Sequence, residues 1–229
     1  MLLSPVLRHS PGIVHGFGTR ADDMAKLLPA YWRNRPVQHE RHGTRIATVG
    51  RPNEDCGEAD GMFTEQPGLL LSIATADCVP VLLARSDGKA VAALHAGWRG
   101  ALAGIVERFA ELLRKRGDNP GNWLAALGPS AGSCCYQVSD EVVEQFHSRH
   151  GMPMELIAPR PRQLNLSGIV ERQLVQAGFG AVSAHEECTM CHREAGDRAF
   201  TFHSYRRDRE TRTPVVDVQW SVVAIKAMT

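Results

Sequence analysis

Cys78 closes the run Thr75-Ala76-Asp77-Cys78, and seventeen residues later His95 opens His95-Ala96-Gly97-Trp98-Arg99-Gly100. A soft thiolate and an imidazole suit one metal ion if the chain between them doubles back. Val79 to Leu83 and Ala90 to Leu94 are two apolar runs around Ser86-Asp87-Gly88-Lys89, and Asp-Gly between apolar runs is a strong hairpin signal. With Asp87-Gly88 as the turn, His95 faces Pro80 and Cys78 faces Gly97. Directly opposed residues share a face and successive residues alternate. Cys78 and His95 therefore point the same way as diagonal neighbours, roughly 7–8 Å apart at the backbone. Ligands held about 2.0 to 2.3 Å from a zinc ion can span that gap. A catalytic zinc takes three protein ligands and keeps a fourth position open, so a third ligand has to come from elsewhere in the chain. Without a metal, the same pair reads as a thiol nucleophile with an imidazole base. Asp77, beside the thiolate, is placed either to move protons or to orient its neighbour.

Six cysteines in a chain with no evident secretory signal read as thiols or ligands rather than as a disulfide framework. Cys188-Thr189-Met190-Cys191 has the spacing of a zinc knuckle or a redox dithiol, and His185-Glu186-Glu187 before it matches the His-x-Glu of zinc deaminases. Those enzymes keep the two half-motifs well apart and place a proline before the first cysteine. Here the elements abut and the proline is missing, so thiols buried beside a strand are the favoured reading. Cys134 and Cys135 are adjacent, and on an extended strand only one of them can face a site.

The surrounding elements read as a mixed α/β chain. Leu102, Ile105, Val106, Phe109, Leu112 and Leu113 recur at helical spacing, with Gly117 just beyond as a stop signal. A second helix is expected from Ser139, an N-cap followed by Asp140 and Glu141, to Gly151, and a third from about Ser167 to Ala177, ending at Gly178. The proline-rich stretch from Gly151 to Asn165 reads as a long surface loop. With 26 basic and 25 acidic residues the formal charge is +1, and no extended like-charge block argues for nucleic acid or a membrane surface. Met1 to Gly12 has neither the basic nor the long apolar segment of a signal peptide. Leu69 to Ala84, the most apolar window, carries Asp77 and Pro80 and is too short for a membrane span. One domain over residues 1–229 and a cytoplasmic location are the expectations.

Thr75 to Leu83 (TADCVPVLL), His95 to Gly100 (HAGWRG), Gly128 to Val138 (GPSAGSCCYQV) and Phe202 to Asp208 (FHSYRRD), with His15 to Arg20 ahead of them, resemble blocks of the YfiH-type family. Its members carry the labels multicopper polyphenol oxidase, laccase-domain protein and purine nucleoside phosphorylase. The resemblance implies a single-domain layered α/β sandwich. It also implies three metal ligands: the histidine of a Gln-Val-His-Gly motif, and the residues matching Cys78 and His95. The first motif reads Glu40-Arg41-His42-Gly43 here, so His42 is the expected third ligand, with His39 as its rival.

The resemblance implies a zinc-containing purine nucleoside phosphorylase. Its substrates would be adenosine, inosine and S-methyl-5'-thioadenosine with phosphate, and adenosine deaminase activity would accompany the main reaction. Arg20, Arg99 and Arg206 fall inside the matched blocks and are the phosphate-binding candidates, because a guanidinium fork donates two hydrogen bonds at once. Asp77, Cys78 and His95 are the catalytic candidates. The chain has ten histidines and no His-x-His pair, a poor supply for a multicopper set. Zinc is therefore expected in one mononuclear site, and copper would bind the same soft donors when available. Two alternatives remain: a Cys/His amidase that edits peptidoglycan precursors, and a copper-dependent polyphenol oxidase. The oligomeric state is left open.

Overall fold

A computed structural model describes residues 1–196, 198–211 and 217–227. The chain forms eleven strands in those residues: β1 (Ile13–Phe17), β2 (Val37–His39), β3 (Ile46–Thr48), β4 (Asp55–Glu58), β5 (Gly61–Thr64), β6 (Leu70–Thr75), β7 (Val79–Arg85), β8 (Val91–Ala96), β9 (Trp123–Leu127), β10 (Val182–Ala184) and β11 (Gln219–Ile225). They make a six-stranded sheet in the order β10-β9-β7-β8-β5-β3, a three-stranded sheet β1-β11-β6 and a two-stranded parallel pair β2-β4. The α-helices are α1 (Met24–Leu27), α2 (Pro29–Trp32), α3 (Trp98–Ala103), α4 (Ile105–Lys115), α5 (Asp140–His150), α6 (Met154–Ile157) and α7 (Leu166–Ala177). None of the described helices is long and apolar enough to cross a membrane.

The layers follow from the apolar runs. Val79, Val81 and Leu83 of β7 join one core with Ile105, Phe109 and Leu174 of the helices, while Leu82 and Ala84 join a second core with Leu71, Ile73 and Val223 of the three-stranded sheet. A strand buried on both faces has no polar side to show, which is why β7 and β8 read as continuous apolar stretches rather than alternating ones. The architecture is thus helices on a six-stranded sheet on a three-stranded sheet, the layered α/β sandwich expected.

The β7–β8 hairpin has the expected register, with Pro80 opposite His95 and Val79 opposite Ala96. Its loop is longer than a two-residue turn: the Gly88 amide donates to the Arg85 carbonyl at 2.8 Å. The helical run from Leu102 to Leu113 is interrupted at Gly104, whose φ of +91° ends α3 and caps α4. A side chain disfavours that conformation, so glycine is needed where the chain turns between the two helices. α5 and α7 lie where Ser139 and Gly178 placed their ends, although the α7 cap is Asn165, whose side chain accepts from the Gly168 amide. The proline-rich stretch is not a free surface loop. It contains α6 and buries Met152, Ile157 and Leu164 completely or nearly so.

Candidate active site

The Thr75 to Cys78 block is the crossover from β6 in the small sheet to β7 in the large one. Cys78 stands just before the first paired residue of β7, and Gly97 just after the last of β8. His95 is 3% exposed and its ring points at Cys78. His42 arrives on the loop between β2 and β3 with φ +61°, unusual for a non-glycine residue. Its ring meets the His95 ring edge-on at 4.8 Å. One donor atom from each of His42, Cys78 and His95 falls within 4.8 Å of the others. His39, the rival, lies on β2 outside this group, exposed and opposite Glu58.

Gly97 makes the convergence possible. A Cβ there would lie 2.6 Å from His42 Cδ2 and 3.1 Å from Cys78 Sγ, so any side chain pushes the histidine off the thiol.

Asp60, which sequence reasoning missed, organises the group. Its carboxylate is 2% exposed. It accepts hydrogen bonds from the backbone amides of Arg41, His42 and Gly43, the last two at 2.7 Å, and lies 2.8 Å from His95 Nδ1. One aspartate thus shapes the loop that carries His42 and fixes the His95 tautomer, leaving Nε2 for the cluster. A carboxylate on the far nitrogen of a ligating histidine is the usual support of a metal site. In the sequence, Asp60-Gly61 before an apolar strand looks only like a turn.

Burial raises the Cys78 thiol, but the charge of His95 and hydrogen bonds from both histidines outweigh it and bring it down to about 7. Burial opposes charge on His95 too, yet Cys78, Asp60 and Glu40 hold its pKa well above 6.5. Burial likewise disfavours the charged form of Asp60, but its bonds to His95 and the backbone amides keep it below the usual carboxylate value. Without a metal, the Cys78 thiol, the His95 imidazole and the Asp60 carboxyl are each biased toward their charged forms.

Asp77 has φ +94°. Its carboxylate accepts from Thr189 Oγ1 at 2.7 Å, Ser204 Oγ at 3.1 Å and the Arg206 amide at 2.7 Å, and its carbonyl accepts from the Ala131 amide. These bonds over-determine the strained backbone. They tie three separate segments to the residue preceding the thiolate.

The cluster opens into a cavity of about 780 Å³, lined among others by Glu40, Trp98, Arg99, Tyr136, Tyr205, Arg206 and Arg209. Arg206 stacks over Tyr136 at 4.9 Å and donates to the Gln137 carbonyl, and Arg99 stacks on Trp98 at 4.5 Å. Arg20 is not among the lining residues. Its amide binds the Thr201 carbonyl, and its charge acts on His203 and Asp208. Arg209, one residue beyond the FHSYRRD block, takes a place in the lining that the motif boundary concealed.

Fold and site together define a three-layer α/β protein with a Cys/His2 donor set at the base of an arginine-bearing cavity. The family described as multi-copper polyphenol oxidoreductase laccase matches residues 22–220, and the chain belongs to it. It is similar to purine nucleoside phosphorylase YfiH of Escherichia coli (strain K12), at 32% identity over 181 residues, 78% of this chain and 71% of that protein. It is similar to adenosine deaminase RL5 from an unknown prokaryotic organism, at 33% identity over 138 residues, 58% of this chain and 53% of that protein. Among solved structures it is similar to YlmD from Geobacillus stearothermophilus, with a TM-score of 0.82 at 25% identity, covering 98% of this chain and 94% of that one.

Proposed function

We propose that this chain is a purine nucleoside phosphorylase that cleaves adenosine, inosine and S-methyl-5'-thioadenosine with phosphate, releasing the base and ribose 1-phosphate, with a lesser adenosine deaminase activity. The observation that carries it is the meeting of His42, Cys78 and His95 with Arg99, Arg206 and Arg209 in one cavity. Relatives named for nucleoside phosphorolysis and adenosine deamination support it. A cavity of about 780 Å³ is within the range for a ligand of nucleoside size.

The donor set suits zinc: one thiolate, two imidazoles and a carboxylate behind one of them, with no fourth protein donor in the group among the described residues. Zinc held there would supply a Lewis acid and a water of lowered pKa, the chemistry deamination at C6 requires. Copper would bind the same donors where it is supplied.

The rest falls to the chain's own side chains. Trp98, Tyr136 and Tyr205 offer aromatic surface to the purine. Arg99, Arg206 and Arg209 supply positive charge for phosphate beside the ribose C1′, where an oxocarbenium-like transition state needs an anion. Arg20 acts from outside this lining, on the charges around His203 and Asp208. Asp77 serves by holding the Arg206 segment against the site. Glu40 lines the cavity with a carboxyl that burial pushes above its ordinary value, and we assign it the proton delivered to the departing base. We read residues 1–229 as one catalytic unit that works in the cytoplasm.

A second reading, an amide-cleaving thiol, is favoured by the closeness of Cys78 and His95 alone. Adenosine incubated with protein of known metal content, with and without phosphate, separates them. The expected products are adenine and ribose 1-phosphate only with phosphate, and inosine at a lower rate without it. Neither product would end the nucleoside reading.

A further inference from the structure

The four cysteines outside the active site come together. Cys134, Cys135, Cys188 and Cys191 place their sulfurs within 4.8 Å of one another, with Cys134 and Cys191 3.6 Å apart. The expectation that adjacent Cys134 and Cys135 cannot share a site assumed an extended strand. Instead the Cys135 and Tyr136 amides both donate to the Gly132 carbonyl at 2.9 Å, and the turn swings both thiols to one side. Of the pair expected to be buried beside a strand, Cys188 is buried and bridged to Ser130, whereas Cys191, like Cys134, is exposed.

We propose that Cys134, Cys135, Cys188 and Cys191 bind a zinc ion as a tetrathiolate site that fixes the wall of the active-site cavity. A tetrahedron with zinc–sulfur bonds of about 2.3 Å has sulfur–sulfur edges of about 3.8 Å, close to the separation of Cys134 from Cys191. The Cys188–Cys191 turn is built for a thiolate. The Cys191 and His192 amides close it on the Cys188 carbonyl at 3.3 and 2.9 Å, and Cys188 Sγ accepts from the Gly132 amide at 3.2 Å. Amide donors aimed at sulfur stabilise the charge a ligand must carry. Four protein ligands leave no open position, which is the mark of a structural rather than a catalytic zinc.

The site bears directly on the cavity. Thr189, between two of the proposed ligands, donates its hydroxyl to Asp77, takes Arg207 Nη1 on its carbonyl and donates its amide to Ser130. Zinc would therefore lock the Cys188–Cys191 turn to the Gly132–Tyr136 turn and hold Asp77 in place beside Cys78.

Differential alkylation of the unmutated protein, purified under reducing conditions, tests this without any substitution. All four cysteines should resist iodoacetamide until a strong chelator is added, and then be modified together as zinc is released. A His42→Ala/His95→Ala variant should keep about one zinc per chain and, after exchange, give the absorption of tetrathiolate cobalt. Equal alkylation with and without chelator, recovery of any of the four in disulfide-linked peptides, or a folded His42→Ala/His95→Ala variant with no metal would overturn the proposal. Iron in place of zinc would overturn the choice of metal.

Discussion

The two sulfur-bearing clusters lie on either side of Asp77 and are made of opposite materials. His42, Cys78 and His95 are set by strands: a hairpin register aligns two of them, and a buried aspartate pulls in the loop bearing the third. The four cysteines are set by two turns, docked together by one isolated parallel bridge between Ser130 and Cys188. The first set leaves room for a substrate and faces a cavity, whereas the second is complete in itself. A thiolate gathered with imidazoles at a cavity therefore reads as chemistry, and one gathered with other thiolates at a turn reads as a clasp.

Removing a ligand from each cluster should break the comparison most sharply. His95→Ala is expected to abolish metal binding at the Cys/His2 site and lower phosphorolysis kcat/KM by more than about a hundredfold, leaving thermal stability nearly intact. Cys191→Ser should act mainly on stability, lowering Tm by about 4–8 °C for roughly 2 kcal/mol in a chain of this size, with a smaller loss of activity, about tenfold or less, through the cavity wall it holds. Metal content, steady-state rates and thermal unfolding of both variants check this. If both lost activity and stability alike, the division of labour would be wrong.

Asp60→Asn comes next. An amide cannot accept from three backbone amides and from His95 as the carboxylate does, so zinc affinity or activity should drop about 10- to 100-fold. A competitive chelator titration measures it.

This residue also marks how far the sequence could be read. The hairpin, and with it the Cys78–His95 pairing, was legible because side-chain direction in a strand has a period of two and the Asp-Gly turn sets the phase. The layers were legible from continuous apolar runs. Asp60 was not, because its role is to accept backbone amides from a loop in the left-handed conformation, and no periodicity encodes that. The convergence of Cys134 with Cys135 was hidden for the same reason, since a turn and a strand point adjacent side chains differently. His42 was reached through family resemblance rather than geometry.

Gly97→Ala sharpens the comparison more gently. A methyl 2.6 Å from His42 Cδ2 should displace that histidine and cost about 1–3 kcal/mol of local strain. Zinc should bind about tenfold more weakly at the Cys/His2 site and unchanged at the four cysteines.

In metal-stripped protein, alkylation of Cys78 should be half-maximal near pH 7 rather than at the unperturbed 9.0. A thiol with a depressed folded pKa contributes stability that is fully present above 9.0 and lost as pH falls through about 7. The stripped protein should therefore lose this contribution on acidification across that window, and its pH–stability profile shows whether it does.

Arg209→Ala should have the smallest effect, a rise in KM for phosphate of about tenfold or less with kcat little changed.

The most direct measurement is phosphate-dependent release of adenine from adenosine as zinc is titrated back into stripped protein. The account predicts that activity rises with occupancy of the Cys/His2 site, and that His95→Ala stays inactive however much zinc it binds at its cysteines. Full phosphorolysis by stripped protein, or by His95→Ala, would contradict it.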